Sequence, residues 1–180
     1  MRICGLDPSI AAAGLAAIDR PNAGPPVLLS LETIRTASDL PDVDRYHTIF
    51  TRVGLVIRTH HVQLLAIEEQ RGVNVGLYQR EDPGYNADNS KTLIAVGAAM
   101  GAAFAYGASV IFVQPQSVKV ALLGPGSRSA SKEQVQQVLL GIIARAGIKR
   151  FSKDATDALA IAITGERKQR LAILKEGARR

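Results

Sequence analysis

The chain has 180 residues, of which 47% are hydrophobic, with one cysteine and a net charge of +6. This length and composition predict a single globular domain with a sizeable core, and they exclude a disordered or disulfide-stapled protein. The basic charge is uneven: 117–153 hold seven basic residues and one acidic residue, and 166–180 hold six and two. Such asymmetry favours a polyanionic partner, although solvated basic faces are common.

The first predicted element is a hairpin over Arg2 to Asp19, where two apolar runs flank a Pro-Ser break. Asp7 ends the first run, and a carboxylate at the end of a buried strand needs a partner, a hydrogen bond or a metal ion. The alternative is that Asp7 only opens the Asp-Pro-Ser turn. Cys4 is expected to be a small buried hydrophobe. Because the N-terminus lacks a secretion signal, we expect a cytoplasmic protein.

A third strand is predicted over Val27 to Thr36, followed by a helix that begins near Asp42 and is capped by His60-His61. The helix is indicated by an apolar stripe at helical spacing, formed by Tyr46, Ile49, Phe50, Val53, Val56 and Ile57. A fourth strand over Val62 to Ile67 then ends in Glu68. Glu68 therefore repeats the arrangement of Asp7, although a solvated loop glutamate would give the same pattern.

The stretch from Gln70 to Asn89 shows little periodicity and is predicted to be a long loop. Its Tyr78, Arg71 and Arg80 are candidates for stacking on nucleic-acid bases, and they fit ordinary loop residues equally well.

Thr92 to Val113 contain no charged residue and are long enough to cross a bilayer. The segment is rich in Gly and Ala, and Gly107 divides it. We therefore predict a buried helix over Leu93 to Tyr106, a strand over Ser109 to Val113, and no membrane span.

A short helix over Pro115 to Leu123 and a basic loop containing Arg128 come next. Ser131 and Gln134 stand at capping-box spacing, which predicts the start of another helix. Lys132 lies in its first turn, where backbone amides attract phosphate; most capped helices nevertheless bind nothing.

The last predicted helix begins at Lys153, and Asp154 and Asp157 share one of its faces. Asp154 alone would fit an N-cap. Asp157 is not explained in this way, because the continuously apolar run that follows indicates a buried helix.

These four acids, Asp7, Glu68, Asp154 and Asp157, are expected to converge, because neighbouring parallel strands end at the same edge of a sheet. Converging carboxylates repel one another, and a divalent cation relieves the repulsion. Oxygen-only ligands select Mg²⁺ or Mn²⁺, and two such ions hydrolyse phosphodiesters in known enzymes. An acidic metal pocket on a basic protein is the combination that a nuclease needs.

Five short motifs occur in an order that resembles the RuvC family of Holliday junction resolvases: Gly5-Leu6-Asp7-Pro8-Ser9, Ala66-Ile67-Glu68, 116–119, 131–135 and 154–160. The resemblance covers about residues 1–165 and leaves 166–180 as a basic C-terminal tail. It implies an α/β protein with an RNase H-like fold, a mixed five-stranded sheet flanked by helices. It also implies a homodimer that nicks opposed strands of four-way junction DNA with two Mg²⁺ or Mn²⁺ ions per active site.

By motif match, the four acids take the metal-binding catalytic positions, and Lys119 and Lys132 take those of basic residues near the scissile phosphate. The chain departs from the family at Ser9, where Gly is usual, and at 70–72, where the family commonly carries an inserting aromatic residue. Arg71 or Tyr78 would then open the junction centre. The resemblance further implies a nucleoid-associated enzyme with a branch-migration helicase as a possible partner. Two alternatives remain, an RNase H-like nuclease that cuts flaps, forks or RNA-containing strands, and a non-catalytic junction-binding protein.

Overall fold

The computed structural model describes residues 1–21, 24–69, 87–127 and 131–179. Ten helices and strands are found within these ranges. In chain order they are β1 (Arg2–Asp7), β2 (Ala12–Asp19), β3 (Val27–Arg35), α1 (Asp42–His60), β4 (Leu64–Glu68), α2 (Ala87–Ala105), β5 (Ser109–Val113), α3 (Pro115–Leu123), α4 (Lys132–Arg145) and α5 (Lys153–Gly177).

The strands form one mixed sheet in the order β3-β2-β1-β4-β5. The first three strands are antiparallel neighbours, as the predicted hairpin requires, whereas β4 is parallel to β1 and β5 is parallel to β4. Parallel strands need a crossover connection, which α1 and α2 supply. The predicted mixed five-stranded sheet flanked by helices is confirmed.

The sheet has a hydrophobic core on each face, because the apolar side chains of its central strands alternate between the two sides. Cys4 and Leu6 point into the core shared with α1 and α2. Ile3 and Ala66 point into the core shared with α4 and α5. Cys4 is fully buried, and this burial raises the pKa of its thiol, so the predicted role as a small core residue holds.

Helix α1 has the predicted limits and buries its apolar stripe against the sheet. It ends at His60, and the left-handed conformation of the next residue, His61 (φ 50°), closes the last turn and confirms the predicted C-terminal cap.

Helix α2 begins at Ala87, six residues before the predicted start at Leu93, so the loop prediction was wrong for 87–89. Periodicity hides this first turn, because its sequence Ala-Asp-Asn-Ser-Lys is polar and the apolar pattern begins only afterwards. No helix within the described ranges has the length and hydropathy needed to cross a membrane.

Helix α5 crosses one face of the sheet and runs to Gly177 without a break at residue 165. It lies unusually close to the first two strands. A Cβ atom added to Gly5 would stand 2.1 Å from the carbonyl oxygen of Ala158, and one added to Gly14 would stand 1.9 Å from that of Asp154. These glycines therefore let the helix backbone touch the strands.

Candidate active site at the carboxyl edge of the sheet

Two predicted acids end neighbouring parallel strands. Leu6 of β1 pairs with Ile67 of β4, so Asp7 and Glu68 follow as the next residues of the two strands at the same edge of the sheet. Glu68 in turn pairs with Val113, the last residue of β5. The predicted convergence of strand ends is thus present.

Both strand-end acids project from the face of the sheet that α5 covers. In β1, Ile3 and Gly5 face the α5 side, so two-residue periodicity directs Asp7 to the same side. In β4, Leu64 and Ala66 face that side, and so does Glu68.

The N-terminus of α5 carries the other two acids and is held in place by Ser152. The Ser152 hydroxyl accepts a hydrogen bond of 3.1 Å from the Ala155 amide and also shares a hydrogen bond with the Thr33 hydroxyl on β3. Asp154 is therefore not the N-cap, which corrects one reading of the sequence; Ser152 caps the helix instead. Contact with Gly14 fixes the backbone of Asp154 over β2.

The electrostatics of Asp7 link the four acids. The pKa of Asp7 is raised to about 7, mainly by burial and then by the charges of Glu68, Asp157 and Asp154, in that order of strength. Lys153 opposes the rise. Above neutral pH Asp7 is ionised, and its half-buried negative charge is unfavourable. A bound cation would offset this cost.

The donor set suits a hard divalent cation in chemistry, because it offers only carboxylate oxygens. Asp7 and Asp154 are half-buried, and Asp157 is exposed. Across 1–21, 24–69, 87–127 and 131–179, no three Asp, Glu, His or Cys side chains stand close enough to form a finished metal site. The other three acids are nevertheless near enough to Asp7 for their charges to raise its pKa.

Of the remaining predicted site residues, only Lys119 and Lys132 lie within the described ranges. Lys119 is half-buried on α3, the helix that directly follows β5. Lys132 is the first residue of α4, and the capping box of Ser131 and Gln134 is confirmed there by bonds of 3.3 and 3.0 Å. The other predicted DNA-binding residues, Arg71, Tyr78, Arg80 and Arg128, lie outside the described residues.

Sequence reasoning missed three residues that shape this site: Lys153, whose charge acts on Asp7, and Ser152 and Gly14, which position α5. Ser152 had a detectable signal, because a serine directly before a predicted helix is a favourable N-cap. Gly14 had none, since its contact joins segments that are distant along the chain.

Comparisons with known proteins agree with this architecture. A family model described as "Crossover junction endodeoxyribonuclease RuvC" matches residues 3–165. A protein of that name from a Nocardioides species is 32% identical over 164 residues, covering 91% of this chain and 85% of the relative.

Two solved structures resemble the fold. The RuvC of Thermus thermophilus in complex with Holliday junction substrate superposes with a TM-score of 0.78 at 32% identity, covering 96% of both chains. The yeast mitochondrial Holliday junction resolvase Ydc2 has a TM-score of 0.62 at 11% identity, covering 92% of this chain and 78% of its own, and supports the fold alone.

Proposed function

The chain belongs to the RuvC family of crossover junction endodeoxyribonucleases, and we propose that it resolves Holliday junctions by metal-dependent hydrolysis at the Asp7 edge of its sheet. Membership of the family implies a nuclease that depends on a divalent metal. The observation that carries the assignment of the site is the raised pKa of Asp7, which three other carboxylates help to produce.

The proposed metal ligands are the four acids of this edge, Asp7, Glu68, Asp154 and Asp157. Two Mg²⁺ or Mn²⁺ ions bound there would activate the attacking water and stabilise the leaving oxygen of the phosphodiester. The protein's part is to present ionised carboxylates, and the raised pKa of Asp7 means that this one is fully ionised only above neutral pH. Three elements of the fold present this group: Asp7 lies on β1, Glu68 on β4, and Asp154 and Asp157 on α5.

Basic side chains are proposed to hold the DNA around the acids. Lys119 and Lys132 would offset the negative charge that develops on the phosphate in the transition state. Arg128, Arg71, Arg80 and Tyr78 remain predicted DNA contacts, and the first three would bind phosphates or stack as guanidinium groups.

We propose a homodimer, because opposed cuts across a four-way junction need two active sites. Helix α2 supports it with an exposed stripe at helical spacing, made of Ile94, Gly97, Gly101, Phe104 and Ala105. Nothing lies within 4 Å of a Cβ added to Gly97, so a second backbone has room to approach there. Large apolar side chains at both ends of the stripe would gain burial on pairing.

We also propose that the protein acts at the nucleoid in the cytoplasm and cooperates with a branch-migration helicase, since its substrate arises on recombining chromosomes. The basic segment 166–180 is proposed to be an accessory extension of the 1–165 nuclease unit.

The deciding experiment compares substrates with the purified chain and Mn²⁺ or Mg²⁺. We expect paired symmetric nicks in a synthetic four-way junction and little cutting of linear duplex. Asp7→Asn should abolish cleavage while junction binding persists, because removal of a negative charge near phosphate does not weaken binding. Asp39→Asn, an exposed aspartate before α1, is the matched control and should cleave normally.

Equal or faster cutting of flaps, forks or RNA-containing strands would favour the first alternative, an RNase H-like nuclease of other specificity. Junction binding without cleavage at any concentration of either metal would favour a non-catalytic junction-binding protein.

A further inference from the structure

The C-terminal third of α5 leaves the sheet. Gly165 packs against Ala66 of β4, and the Lys168 ammonium donates a 2.8 Å hydrogen bond to the Phe112 carbonyl of β5. Since β5 is the last strand of the sheet, the helix beyond Lys168 projects past its edge. From Arg167 to Arg179 every residue except Gln169 is exposed.

A groove of about 740 Å³ lies between this part of α5 and helix α3. Val113, Val120 and Leu171 give much of its lining an apolar character, and Gln114, Gln116, Ser117 and Thr164 add neutral polar groups. Arg167 and Lys168 stand on its α5 side, and none of its described lining residues is acidic. The groove therefore combines an apolar floor with positive charge on one wall.

The apolar surface continues beyond the groove from Leu171 to Leu174 of α5. Arg167 lies on the same face of the helix, because the three residues are separated by four and three positions. Leu171 is 58% exposed and Leu174 is 60% exposed. Two exposed leucines that extend an apolar groove are a recognised feature of interaction surfaces.

We propose that this groove, defined by α3 and the Arg167-Leu171-Leu174 stripe, binds an acidic segment of another protein that carries large apolar anchors. An amphipathic segment laid in the groove would bury both leucines and place its carboxylates beside Arg167 and Lys168. Arg167 and Leu171 lie more than two turns beyond Asp157 on α5. Val113 joins the groove to the candidate active site, because it pairs with Glu68. The inference concerns protein binding alone and does not depend on the nuclease activity.

Two other occupants fit less well. A DNA backbone would satisfy the two cations but offers no apolar surface to the leucines, which would stay hydrated. A second copy docked by the same surface would bring Arg167 and Lys168 against their own equivalents, and like charges across an interface are repulsive.

The test uses the full-length chain and a phage-displayed library of random dodecapeptides. We expect selection to enrich peptides that combine Asp or Glu with Leu, Ile or Phe. For the strongest of them, made as a labelled synthetic peptide, Leu171→Ser should raise the Kd about tenfold or more, as for an interface anchor. Arg167→Gln should raise it severalfold and reduce its dependence on salt.

Ile173→Ser is the matched control. Ile173 is 54% exposed on the same helix but lies about 200° around the axis from Leu171. We expect this change to leave the Kd of the peptide within about twofold, and circular dichroism should be the same for all variants because the substituted side chains are exposed.

Selected peptides without acidic residues, or equal effects of Leu171→Ser and Ile173→Ser, would overturn the proposal. Competitive displacement of the peptide by linear duplex DNA, with duplex binding also weakened by Leu171→Ser, would identify a nucleic-acid surface instead. A lower mass of the Leu171→Ser variant in light scattering would identify a contact between copies. Junction cleavage by the same variants should be unchanged, so failure here and failure of the nuclease proposal are separate results.

Discussion

Replacement of Asp7 by asparagine should stabilise the metal-free protein while it destroys cleavage. The pKa of Asp7 is raised from 3.8 to about 7, first by burial and then by three neighbouring carboxylates. The ionised side chain is therefore less favourable in the folded chain than in the unfolded chain. Asparagine has nearly the same shape and no charge, so it removes this cost.

The magnitude follows from the pKa. One pKa unit corresponds to about 1.4 kcal/mol, so the whole difference corresponds to about 4 kcal/mol. Because Asp7 is only half-buried, water screens part of this, and we expect a gain in the free energy of unfolding of about 1–2 kcal/mol at pH 8. For a chain of this size, that gain corresponds to a Tm increase of about 3–6 °C.

The dependence on pH distinguishes this explanation from a simple packing effect. Between pH 4 and 7 the folded chain holds a proton on Asp7 that the unfolded chain has lost, so stability falls as the pH rises through this window. The gain from Asp7→Asn should therefore be complete at pH 8, smaller at pH 5 and close to zero near pH 4.

Thermal unfolding in EDTA, followed by circular dichroism, measures this gain, with Asp39→Asn as an exposed control. A gain that is the same at pH 5 and pH 8, or a loss of stability at pH 8, would refute the electrostatic reasoning. Addition of Mn²⁺ should then raise the Tm of the unmodified chain and leave that of Asp7→Asn nearly unchanged, because ligand binding stabilises only a competent site.

Three further predictions concern metal binding, the placement of α5 and the dimer. The Mn²⁺ concentration for half-maximal junction cleavage should rise about fivefold between pH 7 and pH 6, because the ion must displace the proton of Asp7; a midpoint independent of pH would contradict this. Gly14→Ala should lower both the cleavage rate and the Tm, since its Cβ would meet the Asp154 carbonyl at 1.9 Å. Gly141→Ala is the control: this glycine has open space around it, so the change should stabilise α4 by about 0.5–1 kcal/mol. Gly97→Glu should yield monomers in light scattering at micromolar concentration and lose paired nicking; an unchanged mass would show that the α2 stripe is not the dimer contact.

The parts of the fold that depend on local sequence were predicted correctly. The apolar stripe of α1 and the Pro-Ser break of the hairpin are patterns of neighbouring residues, and the structure reproduces both. The carboxylates also have a local signal, because each follows a buried strand or interrupts a buried helix. Two details of helix starts were missed. The first turn of α2, from Ala87, is polar and shows no apolar periodicity. At α5 two residues, Ser152 and Asp154, were both possible N-caps.

The distances within the site had no local signal. The ends of parallel strands bring Asp7 and Glu68 to one edge of the sheet, but the sequence places Asp154 beside them only through the resemblance of motifs. Their actual juxtaposition depends on Gly14, whose missing side chain lets α5 rest on β2. The same limit applies to the pKa of Asp7, because burial by a helix almost 150 residues away is a property of the folded chain.

The close packing of α5 against the sheet explains both the raised pKa of Asp7 and the proposed affinity of the four acids for a cation. With Gly5 and Gly14 the helix backbone touches β1 and β2, so water is excluded from the end of β1 and the pKa of Asp7 rises. The same exclusion of water strengthens the attraction of these carboxylates for a cation, because charges interact more strongly where the effective dielectric constant is low. Larger residues at the two glycines would move α5 outward, relieve the repulsion and weaken metal binding together. The electrostatic strain at Asp7 and its proposed affinity for metal therefore have one structural origin and cannot be changed separately by repacking this helix.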